Sequence, residues 1–163
     1  MSEPKLIIGG SFTDDRGDME YFNDIEKLEI EQGKDGLQNT YLNFQYARMY
    51  FVSNHQTNFV RAWHGHMHEG LLVKVVAGVA LIGAAKLEKI GREIEVSPDN
   101  MKQYVLCGSK GQMLYIPPGW ANGAKTLKAN TKIMYIADHF IDPEDDYRFD
   151  YNIIPRFWEV RQR

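Results

Sequence analysis

The feature that most limits what this 163-residue chain can fold into is a succession of short apolar runs, each closed by turn residues. Candidate strands are Lys5–Ile8, Tyr41–Val52, Phe59–Trp63, Leu71–Ala77, Val79–Leu87, Gln103–Cys107, Gln112–Ile116 and Lys132–Ala137. Runs of this length, rich in Val, Ile, Tyr and Phe, suit half-buried pleated strands. The punctuation between them falls at Asn54–Asn58, Gly78, Ser97–Asn100, Gly108–Gly111 and Pro117–Gly119. Helix is scarce: Asp24–Gln32 is the one candidate, and Ile25, Leu28 and Ile30 fit the helical period only in part. After Pro143 the chain turns acidic and then aromatic (Tyr147, Phe149, Tyr151, Phe157, Trp158), a tail expected to pack onto the strands. With no repeat or linker in view, the pattern predicts one all-β domain over 1–163, a jelly-roll barrel.

An apolar fraction of 44% is enough for a real core. A net charge of −3 argues against general nucleic-acid affinity, which needs a basic face, although a few clustered arginines could hold one phosphorylated ligand. Cys107, the only cysteine, has no partner for an internal disulfide, which suits a reducing compartment. The opening MSEPKLIIGG lacks a signal-peptide run and no segment could span a bilayer, so a soluble cytoplasmic protein is expected.

Four stretches carry residues that could do chemistry. Thr13-Asp14-Asp15-Arg16-Gly17 reads either as a solvated turn or as a site where the Arg16 fork meets phosphate. In Arg61-Ala62-Trp63-His64-Gly65-His66-Met67-His68-Glu69, the three histidines alternate and so share one face of a strand. Alternation puts Arg61 on the other face unless a bulge intervenes. The spacing allows a general base or a metal site. Gly111–Asn122 runs a strand into a Pro-Pro-Gly turn. In Lys132–Phe140, Tyr135 shares a face with Ile133 and Ala137, a position that fits a core tyrosine as well as a catalytic one.

In this order, the four stretches resemble the cupin superfamily, and within it the nucleotide-sugar isomerases typified by dTDP-4-dehydrorhamnose 3,5-epimerase. Gly111-x5-Pro117-x-Gly119-x2-Asn122 is similar to the second cupin signature, with Asn where His is usual. Asp15-Arg16-Gly17 resembles the turn whose Arg binds the nucleotide diphosphate. Arg61-Ala62-Trp63-His64 resembles the family's Arg-Gly-x-His, whose His is the base, and Tyr135 falls where the family keeps its general acid. A sister group, the dTDP-sugar 3,4-ketoisomerases, is similar in its Arg-Gly-x-His-Ala-His, in an Arg-x-Tyr strand like Arg48-Met49-Tyr50, and in a tail like Asp146–Tyr151. Two features depart from the epimerases: Leu71 stands where they have a Lys that stabilises an enolate, and the C-terminal segment with the Asp that pairs with the base is missing.

The resemblance implies His64, Tyr135 and His66 as catalytic residues and Arg16, Arg48, Arg61 and Asn122 as substrate-binding ones. It implies no cofactor. A nucleotide-diphosphate sugar is the expected partner, in deoxysugar and surface-polysaccharide biosynthesis. The reaction is epimerisation of a 4-keto-6-deoxyhexose nucleotide, with 3,4-ketoisomerisation as the alternative and a non-catalytic sugar-binding cupin as a third reading. A metal cupin would use His64, His66 and Glu69, but Asn122 is a poor fourth ligand, so no metal is expected. Asp138, Asp142 and Glu144 are the candidates for a replacement partner of His64. The resemblance also implies a homodimer formed by strand exchange, with Leu6–Ile8 as the exchanged strand.

Overall fold

The computed structural model describes residues 3–22 and 44–160. The helix expected at Asp24–Gln32 and the start of the Tyr41–Val52 run lie outside the described residues. The chain enters as β1 (Lys5–Ile8) and the hairpin of β2 (Gly10–Asp14) and β3 (Gly17–Tyr21). It continues as β4 (Arg48–Ser53), β5 (Val60–His66), β6 (Leu71–Ala77), β7 (Val79–Ile90) and β8 (Glu93–Cys107). Then come β9 (Gln112–Ile116), β10 (Trp120–Thr126) and β11 (Lys132–Ala137), and a 3-10 turn at Pro143–Asp145 leads into β12 (Tyr147–Arg148). No α-helix occurs among the described residues, and no helix there is long and apolar enough to cross a membrane.

Two five-stranded antiparallel sheets, ordered β1-β9-β6-β11-β4 and β12-β5-β10-β7-β8, form the jelly roll. Alternation decides what each strand gives to the space between them. Leu71, Val73 and Val75 of β6, Ile133, Tyr135 and Ala137 of β11, and Leu114 and Ile116 of β9 meet Ala80, Ile82 and Ala84 of β7 and Ala124 of β10. The intervening residues Leu72, Met113 and Tyr115 collect on the outside of the first sheet with Ile7, Phe22 and Phe44. The β6–β7 turn needs Gly78, whose φ is +77° and whose Cβ, if it had one, would sit 2.7 Å from the Thr131 backbone.

β10 is a central strand where the sequence offers no candidate strand, directly after the expected Pro117–Gly119 turn. Ala121, Asn122, Gly123 and Ala124 have little strand preference, and the reason for their size lies outside the sheet. The C-terminal tail lays Ile154, Phe157 and Trp158 over the outer face of the second sheet, against Trp63, Leu81, Ala85, Leu87 and Ala121. A Cβ at Gly123 would come within 2.9 Å of the Trp158 ring, and one at Gly83 within 2.6 Å of Phe157. Small strand residues here make room for large tail residues. β8 is also longer than its Gln103–Cys107 end suggests. Ser97–Asn100, expected as a turn, is taken up inside it, where the register with β7 shifts between Ala85 and Leu87.

Trp63, Phe157 and Trp158 pack ring against ring with centroids 4.8 to 4.9 Å apart. Emptying this cluster with Phe157→Ala is expected to cost about 3 to 5 kcal/mol, read as a lowered midpoint in urea denaturation.

Candidate active site

The site lies between the sheets, in a cavity of about 500 Å³. From the second sheet it is lined by Arg61 and His64 of β5, Asn122 and Ala124 of β10, and Arg148 of β12. From the first sheet come Tyr50 and Val52 of β4 and Tyr135 of β11. Arg61 is present because β5 departs from simple alternation. Asn122 of β10 pairs with His64 but Ala124 with Arg61, so β5 spends one extra residue on this stretch and Arg61 turns to the side of His64. Trp63 and Gly65 keep to the outer face, while His64 and His66 point inward.

His64 is held by the tail. β12 adds to the free edge of β5, pairing Arg148 with His64, and the backbone of Phe149 exchanges hydrogen bonds with Trp63 (3.0 Å each way). This brings the Asp146 carboxylate onto His64 Nε2. A carboxylate only accepts, so Nε2 carries the hydrogen and Nδ1 keeps its lone pair. Arg148 Nη2 donates to the other Asp146 oxygen at 3.0 Å. Of the expected candidates for this partnership, Asp138 and Asp142 are committed elsewhere, and Glu144 is exposed on the 3-10 turn. Asp138 accepts from the Gly70 N–H and pairs with His139, and Asp142 caps the 3-10 turn at the Glu144 N–H. His64 therefore has a carboxylate partner, and it is Asp146 and not one of the three expected candidates. Asp146 stood inside the ketoisomerase-like tail. Only β12 pairing, which two residues of sequence do not announce, selects it over its acidic neighbours.

Burial pushes the His64 imidazole below its ordinary pKa, His66 and Arg148 push the same way, and Asp146 opposes them. At neutral pH the ring is thus mostly the free base. Asp146 is held below the usual carboxylate range by Arg148 and, against burial, by His64. Tyr135 is 5% exposed and stacks on Tyr50, with ring centroids 5.0 Å apart and planes at 7°. Burial pushes its hydroxyl well above its ordinary value, so it stays protonated. Burial also raises Tyr50, to about 12.

The other expected site residues divide. Asn122 lines the cavity and donates Nδ2 to the His64 carbonyl at 2.8 Å, fixing the base's own backbone. Arg61 lines the cavity too, its Nε held at 2.7 Å by Asn54 Oδ1. Arg48 is not among the lining residues: its Nη2 donates to both Glu69 oxygens at 2.8 and 2.6 Å. Arg16 sits at the tip of the β2–β3 hairpin, exposed and paired with Asp14, away from the cavity lining. His66 is buried behind His64, with ring centroids 4.7 Å apart. His68 leaves the row of histidines because it lies in the exposed turn after β5. No three His, Cys, Asp or Glu side chains among the described residues are grouped to hold a metal ion. Leu71, where the epimerases carry Lys, is sealed in the inter-sheet core.

The family model described as dTDP-4-dehydrorhamnose 3,5-epimerase matches residues 3–154. Solved structures with this fold include dTDP-4-dehydrorhamnose 3,5-epimerase from Bacillus anthracis str. Ames with TDP and PPi bound. It is 21% identical with a TM-score of 0.74, and the match covers 98% of this chain and 86% of that one. The Legionella pneumophila Philadelphia 1 epimerase in complex with dTDP-4-keto-L-rhamnose is 23% identical with a TM-score of 0.69, over 91% and 73% of the two chains. The TDP-quinovose 3,4-ketoisomerase of Campylobacter jejuni is 17% identical with a TM-score of 0.63, over 91% and 95%. Among curated protein sequences none matches. At these identities the solved structures establish the cupin-like fold, and the family model establishes the kinship. The chain belongs to the dTDP-4-dehydrorhamnose 3,5-epimerase family. It is accordingly an isomerase-class enzyme of dTDP-sugar chemistry in deoxysugar biosynthesis.

Two titrations check the electrostatics. Followed by NMR, His64 is expected to titrate below the ordinary histidine value of about 6.5. Because Asp146 is what raises it, Asp146→Asn is expected to move that midpoint further down.

Proposed function

We propose that the chain epimerises a dTDP-linked 4-keto-6-deoxyhexose at a carbon next to the ketone. The observation that carries this reading is the placement of an oriented imidazole on one sheet and a protonated tyrosine on the other, both facing a single cavity. His64 Nδ1 removes the proton next to the C4 ketone, and the electron pair moves onto the ketone oxygen as an enolate. The Arg61 guanidinium, and not a lysine at position 71, supplies positive charge for that oxygen. Tyr135 returns a proton from the other side of the ring, the ketone re-forms, and the centre is inverted. His64 then loses its proton to solvent and Tyr135 regains one. Asp146 keeps His64 in the Nε2–H form and balances the imidazolium.

The alternative, 3,4-ketoisomerisation, is favoured by the closeness of the two imidazoles and by the Arg48-Met49-Tyr50 strand. It needs a second proton carrier on the His64 face. His66 fits that need poorly: it does not line the cavity, and both of its ring nitrogens face protein groups. The binding-only reading loses its main motive now that the base has its carboxylate.

Incubation with dTDP-4-keto-6-deoxyglucose in D2O, followed by NMR, decides the reaction. Deuterium at C3 or C5 with the carbonyl remaining at C4 is expected. A carbonyl appearing at C3 would establish the ketoisomerase instead. His64→Ala is expected to reduce exchange by about three orders of magnitude. Tyr135→Phe should leave exchange at the carbon but abolish inversion, since the deuteron can return only from the His64 side. The rate should rise with pH through a midpoint below about 6.5 and stay level well past neutrality, because base and acid are pushed apart in opposite directions.

β1, carrying Leu6–Ile8, pairs with β9 within the chain. The β2–β3 hairpin pairs with no other strand among the described residues and exposes Phe12, Met19 and Tyr21. We assign this hairpin, with Arg16 at its tip, to the surface of a second copy, where Arg16 would meet the ligand's diphosphate. Size-exclusion chromatography is expected to show a dimer, and Phe12→Asp with Met19→Asp a monomer with weakened substrate binding. A wild-type monomer at micromolar concentration would remove this assignment.

A further inference from the structure

The buried group that the proposed reaction leaves unused is Glu69. It lies in the turn between β5 and β6, 5% exposed, and that turn is fixed from both ends. Asp145 accepts from the Met67 and His68 N–H groups at 2.7 and 2.9 Å, and Asp138 accepts from the Gly70 N–H at 2.7 Å. The Glu69 side chain therefore points inward by construction, where Arg48 binds both of its oxygens. Its Oε1 lies 3.4 Å from His66 Nε2.

On the other side of the imidazole, His66 Nδ1 lies 2.5 Å from the Asp145 carbonyl oxygen. A carbonyl can only accept, so Nδ1 carries hydrogen. If that were the ring's only hydrogen, an unprotonated Nε2 would lie 3.4 Å from a carboxylate oxygen in a buried space, two electron-rich atoms with no positive charge between them. A carboxylate that already takes two bonds from a guanidinium is the ionised form. The remaining arrangement has hydrogen on both nitrogens of His66.

We propose that Glu69, locked by Arg48, is a positioning residue that holds His66 as an imidazolium, and that this fixed positive charge beside His64 keeps His64 a free base. The proposal rests on the reading of His64 as the catalytic base. His66 then acts by its field and not as a proton carrier: it is buried, its Nδ1 is bound to the Asp145 carbonyl, its Nε2 lies at ion-pair distance from Glu69, and its ring is 4.7 Å from the His64 ring. The charged groups around the pair are Asp146 and Arg148 on the His64 side and Glu69 with Arg48 on the His66 side. The Asp145 carboxylate is turned to the β5–β6 turn. The downward shift of His64, to which His66 contributes after burial, agrees with this arrangement.

The test begins without substrate. Protein labelled with 15N in its histidine rings is examined by NMR at about pH 7.5, where a free histidine is mostly neutral. One ring with both nitrogens protonated is expected, assigned by its absence in His66→Gln, and Glu69→Gln should leave that ring singly protonated. A singly protonated His66 in the wild type overturns the proposal, as does a doubly protonated one that persists in Glu69→Gln. The second arm reads catalysis through deuterium exchange. Glu69→Gln should move the rising limb of kcat/KM up by about one pH unit, lowering the rate at acidic pH about tenfold more than at high pH. If Glu69→Gln does not fold, His66→Gln removes the same charge and must shift the limb the same way; an unmoved limb overturns the proposal. Should no keto-sugar exchange occur at all, the function reading falls while the NMR arm still decides the charge state of His66.

Discussion

The pairing of β12 with the edge of β5 determines most of what is useful in this molecule. β5 is the strand that carries Arg61, His64 and His66, and in a sheet its outer edge would otherwise be open. The tail closes that edge with two paired residues and the reciprocal Trp63–Phe149 hydrogen bonds. A contact this short has little stability of its own. It is maintained by the last stretch of the tail, through the burial of Ile154, Phe157 and Trp158 over Trp63 and Leu87. Trp63 thus serves two purposes: its ring receives the tail on the outer face, and its backbone aligns the tail so that Asp146 reaches His64 on the inner face. The position next to the base is aromatic because stability and chemistry meet in one residue.

That arrangement accounts for a division of labour between the two ends of the cavity. The His64 side is dense in charge and tightly cross-linked: Arg148 to Asp146 to His64 on one line, Arg48 to Glu69 to His66 on the other. The Tyr135 side is mostly aromatic and apolar, with the Arg61 charge acting on Tyr135 and Arg48 lying 5.3 Å over the Tyr50 ring. Tyr135 is flanked by Tyr50 and by the apolar residues of β6 and β11. Desolvation acts oppositely on the two groups, lowering an imidazole and raising a phenol, so one physical cause leaves His64 mostly unprotonated and Tyr135 protonated at the same pH. The barrel needs no cofactor to hold two groups in opposite protonation states, because its two sheets present different surroundings.

Much of this was legible in the sequence, and the rest for identifiable reasons was not. Lys5–Ile8, Leu71–Ala77, Gln112–Ile116 and Lys132–Ala137 are strands with the bounds that their apolar runs suggest. β10 escaped notice because Ala and Gly at its centre answer to the tail's aromatic rings, sequence-distant partners that no local pattern reveals. His64, His66 and Arg61 drew attention by clustering, yet alternation alone would have turned Arg61 away from the site, and only the extra residue in β5 brings it in. Asp146 could be found as one acid among several in an acidic stretch, but the choice among them is made by a backbone pairing. Arg48 and Arg16 were legible as arginines of interest. What they touch, Glu69 and Asp14, is a matter of three-dimensional placement.

Leu71 shows how far a site can change while its logic is kept. A lysine at that point of β6 would have to extend a charge from the inter-sheet core, where Leu71 packs with Val73, Ile116 and Ala137. Burying an ammonium there without a partner would be costly. Here the positive charge near the base comes from the opposite sheet, from Arg61 at the cavity wall and from the residues behind His64. Arg61 reaches the cavity from β5 with its Nε tied to Asn54, and in the proposed reaction its planar guanidinium would face the enolate oxygen. In the proposed reaction a charge supplied from the opposite sheet would meet the same electrostatic demand, because an oxyanion between two sheets responds to the field and not to the strand that provides it.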